Sequence, residues 1–329
     1  MPHGAPAAFS RLRTNNEAVG LKNIGGQAVI EGVMMKGELG WSVAVRDPAG
    51  TIQVKNTQLK PMSKAWKLPI LRGVVTLFHT LVIGIKALEF SASLAGETPE
   101  DKPLSKTAIA ITIGVSILLA VGLFILLPLY MTKLVGLVYP SVDKSSVLFN
   151  AVDGVARVIV FLLYVGGIGL WGEIRRVFEY HGAEHKVIHA FERHEGMDAA
   201  TIAKHSPLHP RCGTSFLMIV MVVSIVVFAM IPQAWPLVYK FLARVVLIPL
   251  IAGLSYEALK MSAKYKDNAL MRIMIWPGIA LQRLTTREPD DRQIEVALRA
   301  LNEVLAMEEN NKAESVTPKE EGAGAPDIT

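Results

Sequence analysis

Residues 107 to 131, TAIAITIGVSILLAVGLFILLPLYM, contain no charged side chain. At about 1.5 Å of rise per residue such a run crosses about 30 Å of hydrocarbon. Its backbone must then satisfy its own N–H and C=O groups, and a helix does so within one segment. Three further apolar runs follow: Val152 to Trp171, which includes Arg157; Phe216 to Ile231; and Val238 to Tyr256, which includes Arg244. The chain is 51% hydrophobic and 19% charged, with a mean hydropathy of +0.36, more apolar than an ordinary soluble domain. The expected fold class is therefore a mainly α, polytopic membrane protein with four transmembrane helices in a region spanning residues 107–256.

A fifth apolar stretch, residues 68–90, is interrupted by Arg72, His79 and Lys86. It is expected to form an interfacial or re-entrant helix. Basic residues support that count. They run from Arg11 to Lys106 ahead of the first span and recur in the loop 172–214 as Arg175, Arg176, Lys186, Arg193, Lys204 and Arg211. The connection 132–150 holds only Lys133 and Lys144, and Pro232 to Pro236 holds no basic residue. With four spans the basic segments share one face, which the positive-inside rule assigns to the cytoplasm together with both termini. The expected location is the bacterial cytoplasmic membrane. The N-terminus lacks an apolar signal core, so no cleaved signal peptide is expected. A net charge of +5, mostly juxtamembrane, suits contact with membrane lipid and argues against nucleic acid as a partner.

Outside the spans, residues 1–22 and 307–329 have the composition of disordered tails. Residues 23–67 are rich in β-branched side chains, and the DPAG at 47–50 has turn chemistry, which predicts a cytoplasmic β-hairpin or small sheet. Gly25, Gly26, Gly32 and Gly37 are expected in its turns. In the C-terminal segment 257–306, Ile294, Ala297, Leu298, Leu301, Val304 and Leu305 recur at helical spacing, and Asp290 and Asp291 precede them; this predicts an amphipathic helix docked on the cytoplasmic face.

Six of the eight histidines lie between the second and third runs: His181, His185, His189, His194, His205 and His209. If residues through Glu192 are helical, His181, Glu184 and His185 share one face at i, i+3 and i+4. Two neutral imidazoles one turn apart can ligate one metal ion, and a neighbouring carboxylate can take a proton from metal-bound water. The letters spell His-x-x-Glu-His, the arrangement of inverted zinc peptidases; five letters do not establish that fold. Further ligand candidates are His209 and Cys212, the single cysteine, in HSPLHPRC, and Glu257 at the cytoplasmic end of the fourth run. Four protein ligands would close a structural zinc site, whereas three would leave a water for Glu184 to activate. Two function classes stay open: a zinc-dependent hydrolase acting on a membrane peptide or lipid-linked molecule, and a non-enzymatic membrane scaffold held by a structural zinc or a metal-free polar network. Transport is disfavoured, because the spans show few ionisable groups beyond Arg157 and Arg244.

Taken in order, GGQAVIEGVMMKG, EYHGAEHKVIHAFE, HPRCGTSF, LSYE and PGIALQRLTTREPDDRQIEVALRAL resemble the YqhQ-like family of bacterial membrane proteins, domain-of-unknown-function family 1385, from about Ile24 to Leu305. The resemblance implies a predicted metal-dependent enzyme. Its motif positions fall on Glu31, His181, Glu184, His185, Lys186, Glu192, His209, Arg211, Cys212, Glu257, Thr285, Thr286 and Glu288. His189 departs from the family pattern and is left out of the expected site.

Overall fold

The computed structural model describes residues 24–59, 68–96, 106–232, 234–264 and 269–316. The chain opens with an antiparallel meander of β1 (Gly25–Val29), β2 (Gly32–Lys36), β3 (Gly40–Arg46) and β4 (Ile52–Gln58), paired in sequence order. Val29 pairs with Gly32 around Ile30 and Glu31. Glu31 takes a left-handed φ of 50° at the second position of this turn, and its carboxylate is held by Arg176 and by the Tyr180 hydroxyl. At the DPAG turn Gly50 has a φ of 86°, and the Thr51 N–H donates to Asp47 Oδ1 at 2.9 Å. Gly25, Gly26 and Gly32 are strand residues, contrary to the expected turns. Two of them answer to close approach: a Cβ at Gly26 would lie 2.6 Å from Glu184 Cγ, and one at Gly32 would lie 2.3 Å from the Ala44 carbonyl oxygen.

Alternate residues of a strand face opposite sides, and here both sides are covered. Val33, Met35 and Ala44 pack against α6 (Gly172–Glu192) and α11 (Asp291–Val316). Met34, Val43 and Val45 pack against Ile83 and Ala87 of α1 (Leu71–Ala95). The C-terminal helix buries Ile294, Ala297, Leu301, Val304 and Leu305, as the periodicity predicts. It starts in a capping box: the Gln293 N–H donates to Asp290 Oδ1 at 2.8 Å and the Asp290 N–H to Gln293 Oε1 at 2.9 Å, which satisfies two helix-end donors. The helix continues to Val316, past the boundary expected at residue 307. The expected tail at residues 1–22 and the end of the other, 317–329, lie outside the described residues.

The apolar helices are α1; α2 (Lys106–Val121), a π-helical segment Gly122–Leu126 and α3 (Leu127–Val138), which form one continuous rod; α5 (Ser146–Ile168), after the short α4 (Pro140–Lys144); α8 (Gly213–Phe228), after the short α7 (Ala199–Ile202); α9 (Leu237–Lys264); and α10 (Ala269–Thr285). The π segment sits just before Pro128, whose ring cannot continue the i→i−4 ladder. Among the described residues, four helices are long and apolar enough to cross a membrane: Leu71–Ala95, Thr107–Val138, Ser146–Ile168 and Leu237–Ser262. The number agrees with expectation, but the membership differs. The stretch expected to be interfacial is an unbroken helix of 25 residues, and the run expected as third span is a helix of 16. The packing of α1 bears on its placement. Its second half lies on the sheet through Ile83, Ala87, Phe90 and Leu94, and its first turn meets α9, where a Cβ on Gly73 would lie 2.7 Å from Tyr256 Cβ. A helix half of whose length covers a sheet favours the membrane surface over a crossing.

Inside the bundle, Asp153 of α5 accepts from Arg157 at 2.8 Å and from Arg244 of α9 at 2.7 Å. Arg157 also donates to Ser224 of α8 at 2.9 Å, and both guanidinium groups rest on the Phe228 ring at 4.8 and 5.1 Å. The two arginines are thus buried among three helices with a carboxylate between them. Within a bilayer a charge is tolerated when it is paired in this way.

Candidate metal centre

The helix leaving the bundle does not run through unbroken. α5 ends at Ile168, and α6 restarts at Gly172 after Trp171 adopts extended backbone. From there α6 is continuous to Glu192, so the face argued from spacing exists. The residues from Tyr180 to Phe191 are almost all buried, because the helix lies under the sheet on one side and against the chain that follows α10 on the other. Gly182 makes the second contact: a Cβ there would lie 2.0 Å from the Arg287 carbonyl oxygen.

His181 and His185 stand one turn apart with ring centroids 4.4 Å from each other. Cys212 caps the N-terminus of α8, and its Sγ lies 3.2 Å from His181 Nε2. One ligand-capable atom from each of His181, His185 and Cys212 falls within 4.8 Å of the others. The imidazoles are oriented by carbonyls. His181 Nδ1 lies 2.8 Å from the Thr285 oxygen and His185 Nδ1 2.5 Å from the Pro207 oxygen. A carbonyl only accepts, so both Nδ1 atoms carry the proton and both Nε2 lone pairs point inward, the tautomer in which a histidine ligates metal through Nε2. His185 Nε2 is buried with no hydrogen-bond partner. An orphaned buried acceptor of that kind costs about 1–3 kcal/mol, and a cation would satisfy it. The residues present fit a metal ion.

Glu184 is 6% exposed. Its carboxylate accepts the Gly26 N–H and lies 3.5 Å from His185 Nε2. Burial pushes this carboxyl above its usual range, with His181, His209 and the Gly26 N–H pulling it back. Burial lowers His185 to about 2, and burial, followed by the Glu184 charge, raises the Cys212 thiol to about 11. Burial thus holds His185 uncharged and Cys212 protonated.

Other expected ligands are placed differently. His209 adjoins the group, its ring centroid 5.7 Å from that of His185, but its Nδ1 accepts the Arg211 N–H at 3.2 Å. In the neutral ring the proton is then on Nε2, which faces Glu192 at 3.4 Å, so His209 lines the site without offering it a lone pair. Glu257 is not in the group. Both its oxygens engage Arg72, and the Ile70 N–H adds a bond at 3.3 Å; it joins α9 to α1 instead. Lys186, one of the basic residues of the loop 172–214, is buried and donates to the Ala203 carbonyl at 2.7 Å and to Glu288. His189 bonds the Leu208 carbonyl at 2.9 Å. Gln282 went unnoticed in the sequence: its side chain takes the His209 N–H and donates to the His209 oxygen, both at 2.8 Å. Nothing in a lone glutamine on an amphipathic helix announces such a clamp.

The cluster opens on a cleft of about 1150 Å³, bordered by β1, β2, α6, the start of α8 and residues His79 and Thr80 of α1. With this geometry described, the comparisons with known proteins place the chain. The family model described as "Protein of unknown function (DUF1385)" matches residues 68–307. The chain belongs to that family. It is 33% identical over 299 residues to "Uncharacterized protein YqhQ" of Bacillus subtilis (strain 168), covering 86% of this chain and 92% of the relative. No solved structure matches it. The family match covers α6, Cys212 and α10, whereas Gly26 and the rest of the sheet lie ahead of it. Neither description names a metal or an activity, so the metal-dependent enzyme that the sequence motifs imply rests on the site itself.

Proposed function

We propose that this is a multi-pass protein of the bacterial cytoplasmic membrane, both termini cytoplasmic, in which His181, His185 and Cys212 hold a zinc ion and Glu184 serves as general base in a hydrolysis at the membrane surface. The observation that carries the reading is the pair of Nδ1–carbonyl bonds, which turn two Nε2 lone pairs toward one thiol beside a buried carboxylate. Bound zinc lowers the pKa of a coordinated water and polarises a substrate carbonyl or phosphoryl oxygen. The chain's own groups do the rest. Three protein ligands leave a coordination position open. Were zinc held there, the Glu184 carboxylate, whose burial raises its affinity for protons, would be the group placed to accept a proton and return it to a leaving group. His209 lines the same cleft. The substrate class is a membrane peptide or lipid-linked molecule.

Elemental analysis of the detergent-purified protein tests this. Near one zinc per chain in wild type, retained in Glu184→Gln and lost in His185→Ala, supports the centre; wild type free of metal after attempted reconstitution removes it. The scaffold reading has one observation in its favour, the Glu184 bond to the Gly26 N–H that fastens α6 to β1. It predicts that Glu184→Gln preserves function in cells, whereas the hydrolase reading predicts a folded protein without it.

A further inference from the structure

The lining of the cleft has two sides. On one stand the histidines, Glu184 and Cys212, and on the other Met34, Lys36 and Leu59 of the sheet region with His79 and Thr80 of α1. Gly25 and Gly26 of β1 line it as well. Lys36 pairs across the strands with Gly25, about 5 Å away, and the next residue, Gly26, abuts Glu184. A Cβ built on Gly25 would meet no atom within 4 Å. The cleft wall is therefore open at Gly25, and a side chain there would project into the cleft.

Lys36 is the unexplained group on the sheet side of the cleft. It is half-buried, burial alone lowers its pKa, and no carboxylate acts on it, although Glu38 lines the same cleft. No hydrogen bond or ion pair reaches its ammonium among the described residues. Every other basic residue close to the centre is engaged: Lys186 by Glu288, Arg211 by Glu192, Arg176 by Glu31. A cation left unpartnered in a cleft wall is placed for an anion from outside. The surroundings say which kind. Ile24, Met34, Leu59, Val177 and Phe178 make much of the lining apolar. Beside the mouth, α1 turns Phe78 and Leu81 outward, 67% and 57% exposed, as a helix lying on lipid does.

We infer that the cleft takes an anionic phospholipid, its phosphate on Lys36 and its neighbouring ester bonds reaching past Gly25 toward Glu184. This rests on the reading of the His181–His185–Cys212 cluster as the reaction centre, but binding can be measured without turnover. The experiment titrates full-length, detergent-purified protein with dihexanoyl phosphatidylglycerol below its micelle concentration, with dihexanoyl phosphatidylcholine and inorganic phosphate as comparisons. Phosphatidylglycerol should bind at least tenfold more tightly than either. Lys36→Met should weaken it about tenfold and Lys36→Arg should retain it. Gly25→Leu should weaken it as well. Size-exclusion profiles and thermal midpoints establish that each variant is folded; if Lys36→Met is not, Lys36→Arg and Gly25→Leu still decide. Equal affinity for the zwitterionic lipid, or phosphatidylglycerol binding indifferent to both Lys36→Met and Gly25→Leu, overturns the inference. Inorganic phosphate binding as tightly, with the same dependence on Lys36, makes the ligand free phosphate and overturns it too. Lipid binding by a protein that takes up no zinc would sustain the inference and sink the hydrolase, whereas a zinc protein without lipid binding would sink the inference alone.

Discussion

Two buried polar clusters lie at different depths of this chain, and they are finished differently. Around Asp153, both carboxylate oxygens meet a guanidinium, and Arg157 also meets Ser224. Around Glu184, burial leaves neutral imidazoles and a thiol, and the Nε2 lone pair of His185 lacks a hydrogen-bond partner. The first cluster sets one carboxylate between two guanidinium groups, whose Nε atoms have no partner, and ties α5, α8 and α9 together. The second has a neutral lone pair fixed in direction and left unmatched, the feature on which the proposed zinc site relies.

That contrast can be broken first at Asp153. Asp153→Asn leaves two arginines without their carboxylate inside the bundle and should destabilise by about 3–5 kcal/mol, seen as loss of the monodisperse peak in detergent and of yield from membranes. A protein that purifies normally would mean that the cluster is hydrated and not a fastener. Gly182→Ala should come next. Its Cβ must displace the Arg287 carbonyl from 2.0 Å, an overpacking of about 1–3 kcal/mol. Through Thr285, which orients His181, it should also weaken zinc affinity about tenfold, measured by competition with a chelating dye.

A milder effect distinguishes the two clusters by pH. His185, His189 and His209 are all held below the ordinary imidazole value of 6.5, in each case chiefly by burial. Below 6.5 the unfolded chain takes up protons that the native one rejects, so the stability of metal-free protein is complete above that pH and declines as pH falls. His185, lowered to about 2, should contribute about 1.4 kcal/mol per pH unit. Unfolding midpoints at pH 7.5, 6.5 and 5.5 should fall in that order, less steeply in His185→Phe; a flat profile would mean that the rings are not buried neutral. The smallest effect belongs to Glu257→Gln, which should leave zinc content unchanged in elemental analysis, since Glu257 faces Arg72 and not the histidines.

Some of this was legible in the sequence because it depends on local period. The apolar runs, the strand pairs around DPAG, the stripe of Ile294 to Leu305 and the shared face of His181, Glu184 and His185 all follow from spacing. What resisted depends on contacts between distant segments. Spacing alone cannot tell His209, whose Nδ1 is taken by its own loop's backbone, from a ligand. Glu257 looks available until Arg72 is brought to it by the packing of α1 on α9. Lys186 reads as a surface lysine because its partner, Glu288, is far along the chain. Asp153 was overlooked beside two conspicuous arginines, although a carboxylate one turn before Arg157 is the residue that makes those arginines tolerable. The division of α1 between sheet and bundle has no local signature, and hydropathy treats its length as one object.

That division has a mechanical side. α1 is pinned near Gly73 and Glu257 at one end and along the sheet through Ile83 and Ala87 at the other, so it behaves as a strut fixed at two points and not as a flap on a hinge. A strut cannot swing clear. The width between α1 and the sheet is set when the two parts of the molecule assemble, so the cleft is bounded by a fixed wall rather than by a lid that lifts.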